Sequence, residues 1–73
     1  MDAAAGLTRR ALAAYYQRAN GTETPADTRV VEHEARLYVV LSNVTGTLAV
    51  YRVRGSGALR RMRRWPAEVA PRA

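Results

Sequence analysis

Six arginines fall within thirteen residues, at Arg52, Arg54, Arg60, Arg61, Arg63 and Arg64, with Tyr51 and Trp65 at the two ends of the run. Guanidinium groups are planar, permanently charged forks that match phosphate and carboxylate oxygens two at a time, so this composition suits contact with a polyanion. Tyr51 and Trp65 are available for stacking on unpaired bases. The chemistry expected of these eight residues is binding of DNA or RNA through the phosphate backbone, without catalysis. An acidic protein surface would satisfy the same forks, which makes a small protein-interaction module or inhibitor the alternative. Arginine in place of every lysine is also what a GC-rich coding sequence produces.

The charge is unevenly distributed. Residues 1–34 hold four arginines and five acids, whereas residues 35–67 hold seven arginines and no acid, within a chain of net charge +6 and pI near 11.1. Net charge of this kind bears on partners and not on fold.

Other candidate chemistry is poorly supported. His33 is the only histidine, and Glu32 and Glu34 beside it would point to the opposite face of a strand, so no metal site is expected. Ser42 and Ser56 lack a nucleophile-elbow context, and no catalytic residues are assigned. Gly55-Ser56-Gly57 precedes no phosphate-binding helix and reads as a hairpin turn. Asn20-Gly21-Thr22 and Asn43-Val44-Thr45 fit a glycosylation pattern, but both read as turns. No cofactor is implied.

The arginines need a scaffold, and the apolar pattern supplies one. In Asn43-Val44-Thr45-Gly46 the asparagine and glycine suit a three-residue hairpin loop, which pairs Asn43 with Thr47. Counting outward sets Leu41 opposite Ala49, Val39 opposite Tyr51 and Leu37 opposite Val53 on one face, with Tyr38, Val40, Val50 and Arg52 on the other. A two-residue Thr45-Gly46 loop would shift this register by one. Thr28 to Glu34 reads as an edge strand, turning at Glu34-Ala35 so that Val30 meets Val39 and Val31 meets Tyr38. After Gly55-Ser56-Gly57, residues 58–65 read as a fourth strand, with a short helix as the competing assignment. A three-residue turn there sets Arg52 opposite Arg60 and Tyr51 opposite Arg61.

Ahead of the strands, Leu12, Tyr15, Tyr16 and Ala19 follow helical spacing, with Thr8 as N-cap and Asn20-Gly21 as the stop. Residues 1–6 then read as a frayed start. Arg9 and Arg10 are ill placed in a first helical turn, so a helix beginning at Asp2, with Gly6 inside it, is the competing boundary. Gly21 to Asp27 is a connecting loop, and residues 67–73 read as a loose tail.

Together these elements predict an α+β fold, an N-terminal helix packed on a three- to four-stranded antiparallel β-meander, within one small domain spanning residues 1–73. A domain of this size buries only about 60% of its unfolded surface, and no cysteine is present to brace it. The longest uncharged run, Leu37 to Tyr51, is fifteen residues and cannot span a bilayer. Arg9 and Arg10 interrupt any signal-peptide core. An arginine-rich start resembles a transit peptide in composition, but its apolar residues are needed for packing. A cytoplasmic protein is expected. Both sheet faces carry apolar residues and one helix covers only one of them, so the other is open, covered by the tail or buried in a homodimer.

Overall fold

The computed structural model describes residues 3–18 and 24–70. Helix α1 spans Ala3–Arg18, and four strands follow: β1 Asp27–His33, β2 Arg36–Asn43, β3 Gly46–Val53 and β4 Leu59–Arg61. The strands form one antiparallel sheet in chain order, and the helix packs on it, giving the expected α+β architecture.

The helix starts earlier than its Thr8 cap would allow. Residues 3–6 are helical and not frayed, which places Thr8 inside the helix. The competing boundary at Asp2 lies just outside the described residues, and Ala19 also falls outside them. Alanine at positions 3–5 favours this extension, against a cost of about 1 kcal/mol for Gly6. Starting at Ala3 also moves Arg9 and Arg10 beyond the first turn, away from the positive end of the helix dipole.

The extension changes which face is buried. Leu7, Ala11 and Tyr15, spaced four apart, form the buried row, with Leu12 and Ala14 at its margins. Tyr16, expected on the core stripe, is 55% exposed. It lies about 100° around the helix from Tyr15 and keeps only an edge-on ring contact with it, at 5.8 Å between centroids. With Leu7 left outside the helix and Ala11 not counted in its stripe, the pattern of Leu12, Tyr15 and Tyr16 points to a face rotated toward solvent.

On the sheet, β1 and β2 pair as expected, with Val30 opposite Val39 and Val31 opposite Tyr38. The turn between them uses two left-handed residues, Glu34 at φ 51° and Ala35 at φ 63°, as a type I′ hairpin turn requires. The β2–β3 register also holds from Leu41–Ala49 through Val39–Tyr51. The loop itself differs. Asn43 pairs with Gly46 and not Thr47, which leaves the two-residue loop Val44-Thr45, and the ladder slips between Leu41 and Ser42. Asn43 Oδ1 accepts from Thr45 N at 2.8 Å and from Thr45 Oγ1 at 2.6 Å, a side-chain turn that substitutes for the backbone turn expected. The extra residue therefore sits at Leu48 as a bulge, and Leu48 joins Ala49 on the helix-facing side.

Arg54 N donates to Ala58 O and Gly57 N to Arg54 O, both at 2.8 Å, closing the expected three-residue turn with Gly57 at φ +87°. The helix reaches this turn, where Arg10 Nη1 donates to Gly57 O at 2.9 Å. An alanine at position 57 meets no neighbouring atoms, so its cost is conformational alone. Gly57→Ala is expected to lower stability by about 1–2 kcal/mol. Gly55→Ala, with no left-handed φ to hold, should change a urea midpoint little.

Two apolar layers flank the sheet. Val39, Leu41, Ala49 and Tyr51 meet the helix row, while Tyr38, Val40 and Val50 meet Val69 and Ala70, with Met62 and Trp65 at the margin. The expectation of a loose tail is overturned for residues 67–70. Trp65 Nε1 donates to Ala70 O at 3.0 Å and Val69 N to Pro66 O at 2.9 Å, so the segment folds back over the second face. Burial of Val69 and Ala70 offsets the entropy of ordering it. Residues 71–73 lie outside the described residues. The covered second face removes the reason for expecting a homodimer. Leu37, placed in the core by alternation, is 39% exposed at the start of β2.

Candidate nucleic-acid interface

The basic cluster is built by the last hairpin. Pairing of β3 with β4 sets Arg52 opposite Arg60 and Tyr51 opposite Arg61, as the three-residue turn requires. The strand is shorter than expected. It ends at Arg61, Met62 N adds one more bond to Val50 O at 2.8 Å, and the chain then bends at Arg63 and Arg64. Met62 anchors this bend by packing into the second apolar layer. Strand alternation therefore fails beyond it, and Trp65 lies with Met62 and not with Leu59.

The bend gathers the arginines. Arg52, Arg60, Arg61, Arg63 and Arg64 line one concavity of about 760 Å³ together with Met62. Among the described residues, none of the five forms an ion pair with an acid. Like charges directly opposite on adjacent strands repel, so the Arg52–Arg60 pair weakens the sheet in isolation and gains when an anion sits between them. Arg54 is exposed at the end of β3 and does not line the concavity.

The two aromatic residues are placed otherwise than expected. Tyr51 is 3% exposed and belongs to the helix-facing layer, where its ring cannot meet a base. It sits on the face opposite Arg52 because strand side chains alternate. Trp65 is half-buried, and its indole N–H is committed to Ala70 O. Tyr51 therefore has no ring face to offer a base, while Trp65 keeps part of its surface exposed with its N–H engaged.

Sequence reasoning missed Arg18. At the last turn of α1, it lines a second concavity of about 660 Å³ with Arg61, Arg63 and Trp65, adjoining the first. A helix's crossing direction over a sheet is not written in its own spacing, so nothing in the sequence joined residue 18 to residue 61.

Between these groups lies a buried hydroxyl. The Tyr51 Oη is inaccessible and has no hydrogen-bond partner among the described residues, an arrangement that costs about 1–3 kcal/mol. Burial pushes its pKa above the ordinary phenol value, and the positive charges of Arg61 and Arg18 oppose that shift. Because the folded value is raised, the phenol is neutral at pH 7, and the stability linked to it is lost only as pH rises through its folded pKa.

His33 Nε2 lies 3.9 Å from Glu34 Oε2, and no group of three potential metal ligands occurs among the described residues. No described helix is long and apolar enough to cross a membrane. Comparison with protein-family models, with curated proteins and with solved structures gives no match.

Proposed function

We propose that this chain is a non-enzymatic nucleic-acid-binding module that grips the phosphate backbone along the concavity of Arg52, Arg60, Arg61, Arg63 and Arg64. The observation that carries this reading is the convergence of five arginines on one surface with no described acid to neutralise them. Phosphate contacts fix position and carry no sequence information by themselves. With Tyr51 and Trp65 engaged in packing, binding is expected to depend little on base identity. A cytoplasmic location goes with this reading.

The test is the salt dependence of binding to short duplex and single-stranded oligonucleotides. Four to six phosphate contacts give a log–log slope of roughly −3 to −5 for duplex DNA. Replacing Arg61 and Arg63 together by alanine should reduce that slope by about one to two units. Arg9→Ala should matter less, since that side chain is exposed on the helix away from the concavity. Absence of binding below ~100 μM at low salt, weaker than ordinary non-specific affinity, would overturn the reading. The same arginines would then be tested against an acidic protein surface, with the double alanine variant as control.

A further inference from the structure

We propose that the Tyr51 hydroxyl, Arg18 and Arg61 form a subsite for a single phosphate group, of the phosphomonoester or inorganic kind. The three side chains come from three elements, β3, α1 and β4, and converge on one recess of about 300 Å³ whose remaining lining is Ala14 and Leu59. Two of its walls are apolar, and the polar side chains of the others, two guanidinium groups and a phenol, can each donate hydrogen bonds at neutral pH.

The hydroxyl is the independent observation. Tyrosine fits this place in the core by its ring, and phenylalanine would fill the same space without leaving a buried polar atom unpaired. An acceptor arriving from outside completes that hydroxyl. The side chains of Arg18 and Arg61 are exposed and long, so their heads can part to admit a small group and then close on it. The raised pKa of the phenol is consistent with this role, because it keeps the proton that the hydrogen bond requires.

Oxygen count selects the ligand class. Two guanidinium forks and one hydroxyl approach from different elements, and a terminal phosphate offers three oxygens to meet them. A phosphodiester within a strand has only two non-bridging oxygens, and a carboxylate has two in one plane. Arg61 lines both this recess and the larger concavity, so the recess lies at one end of the basic surface. Assigning the phosphate to the end of a nucleic-acid strand rests on the function proposed above; the subsite itself does not.

The experiment follows the backbone amides of residues 51 and 61 and the Nε–Hε groups of Arg18 and Arg61 by heteronuclear NMR. Inorganic phosphate is titrated against chloride at matched ionic strength. Oligonucleotides of one sequence are then compared with and without a terminal phosphate, at the 5′ and the 3′ end. Phosphate should shift the Arg18 and Arg61 signals saturably, and Tyr51→Phe should weaken that binding by about tenfold. Tyr51→Phe should keep or raise its melting temperature, since only an unpaired buried hydroxyl is lost; Arg18→Ala provides a second variant outside the core. A strand with a terminal phosphate should bind about tenfold tighter than its hydroxyl counterpart, with the advantage lost in both variants.

Shifts no larger than those from chloride, or phosphate binding unchanged in Tyr51→Phe, would overturn the subsite. Steeply salt-dependent oligonucleotide binding that ignores the terminal phosphate, in a protein that also ignores free phosphate, would remove the subsite and leave the basic concavity standing. Saturable phosphate binding lost in Tyr51→Phe, in a protein that binds no oligonucleotide, would establish the subsite as one for free phosphate and remove the nucleic-acid reading.

Discussion

Val40→Glu is expected to unfold the protein, with loss of its cooperative thermal transition and collapse of its amide dispersion. Val40 is fully buried in the layer of Tyr38, Val50, Val69 and Ala70, and its cross-strand neighbour Arg29 is exposed to water, outside that apolar layer. An unpaired carboxylate placed there costs several kcal/mol, or is protonated at a similar cost. Set against the total stability of about 4–11 kcal/mol expected for a chain of this length, that loss is most or all of it. The matched control is Val44→Glu, the same substitution at a loop position that is 100% exposed, where the change should stay within about 0.5 kcal/mol. A folded Val40→Glu protein with native dispersion would mean that residues 65–70 do not cover the second face. Had that face been closed by a second copy of the chain, the same variant would have yielded a folded monomer, so the experiment separates the two arrangements.

The second large effect contrasts neighbouring tyrosines. Tyr15→Ala should destabilise by about 3–5 kcal/mol, the range for removing a large buried aromatic side chain. Tyr16→Ala should cost less than about 1 kcal/mol, chiefly the edge-on contact between the two rings. The difference comes from the helix's rotational setting, with Leu7, Ala11 and Tyr15 inward and Tyr16 at 55% exposure. Urea unfolding with a shared m-value would measure both. Equal losses would place the buried stripe on Leu12, Tyr15 and Tyr16 instead.

Much of this arrangement was legible because alternation in strands is strict. Once Leu41 is set against Ala49, every pair out to Tyr38–Arg52 follows, and the glycine-bearing turn at 55–57 fixes Arg52 against Arg60 in the same way. The expected Asn43–Thr47 pairing missed only the loop: moving the extra residue from the turn to Leu48 preserves the register beyond it, so the two layouts are indistinguishable in their outer pairs. What escaped the sequence depends on contacts between distant segments. The tail's two apolar residues, Val69 and Ala70, carry no periodicity in a stretch so short, and their burial is decided by an uncovered face some twenty to thirty residues earlier. Arg18 joins the arginine surface only through the direction in which α1 crosses the sheet. Tyr51 and Trp65 were read as binding aromatics because they flank arginines in sequence, yet alternation sends Tyr51 to the opposite face, and the bend after Met62 turns Trp65 to the margin of the second apolar layer.

The closing of the second face by residues 62–70 also sets an order in time. Strands β2 and β3 can pair once Val53 has left the ribosome, and Val69 follows it by sixteen residues. Emergence at the translation pace of about 5–20 residues per second leaves Tyr38, Val40 and Val50 without their cover for roughly one to three seconds. During that interval the nascent sheet presents an apolar face beside a strand edge that β4 has not yet occupied, the combination most prone to pairing with another chain. Arginines at 52 and 54, made first along that same edge, confer like-charge repulsion between nascent copies before the fold is complete.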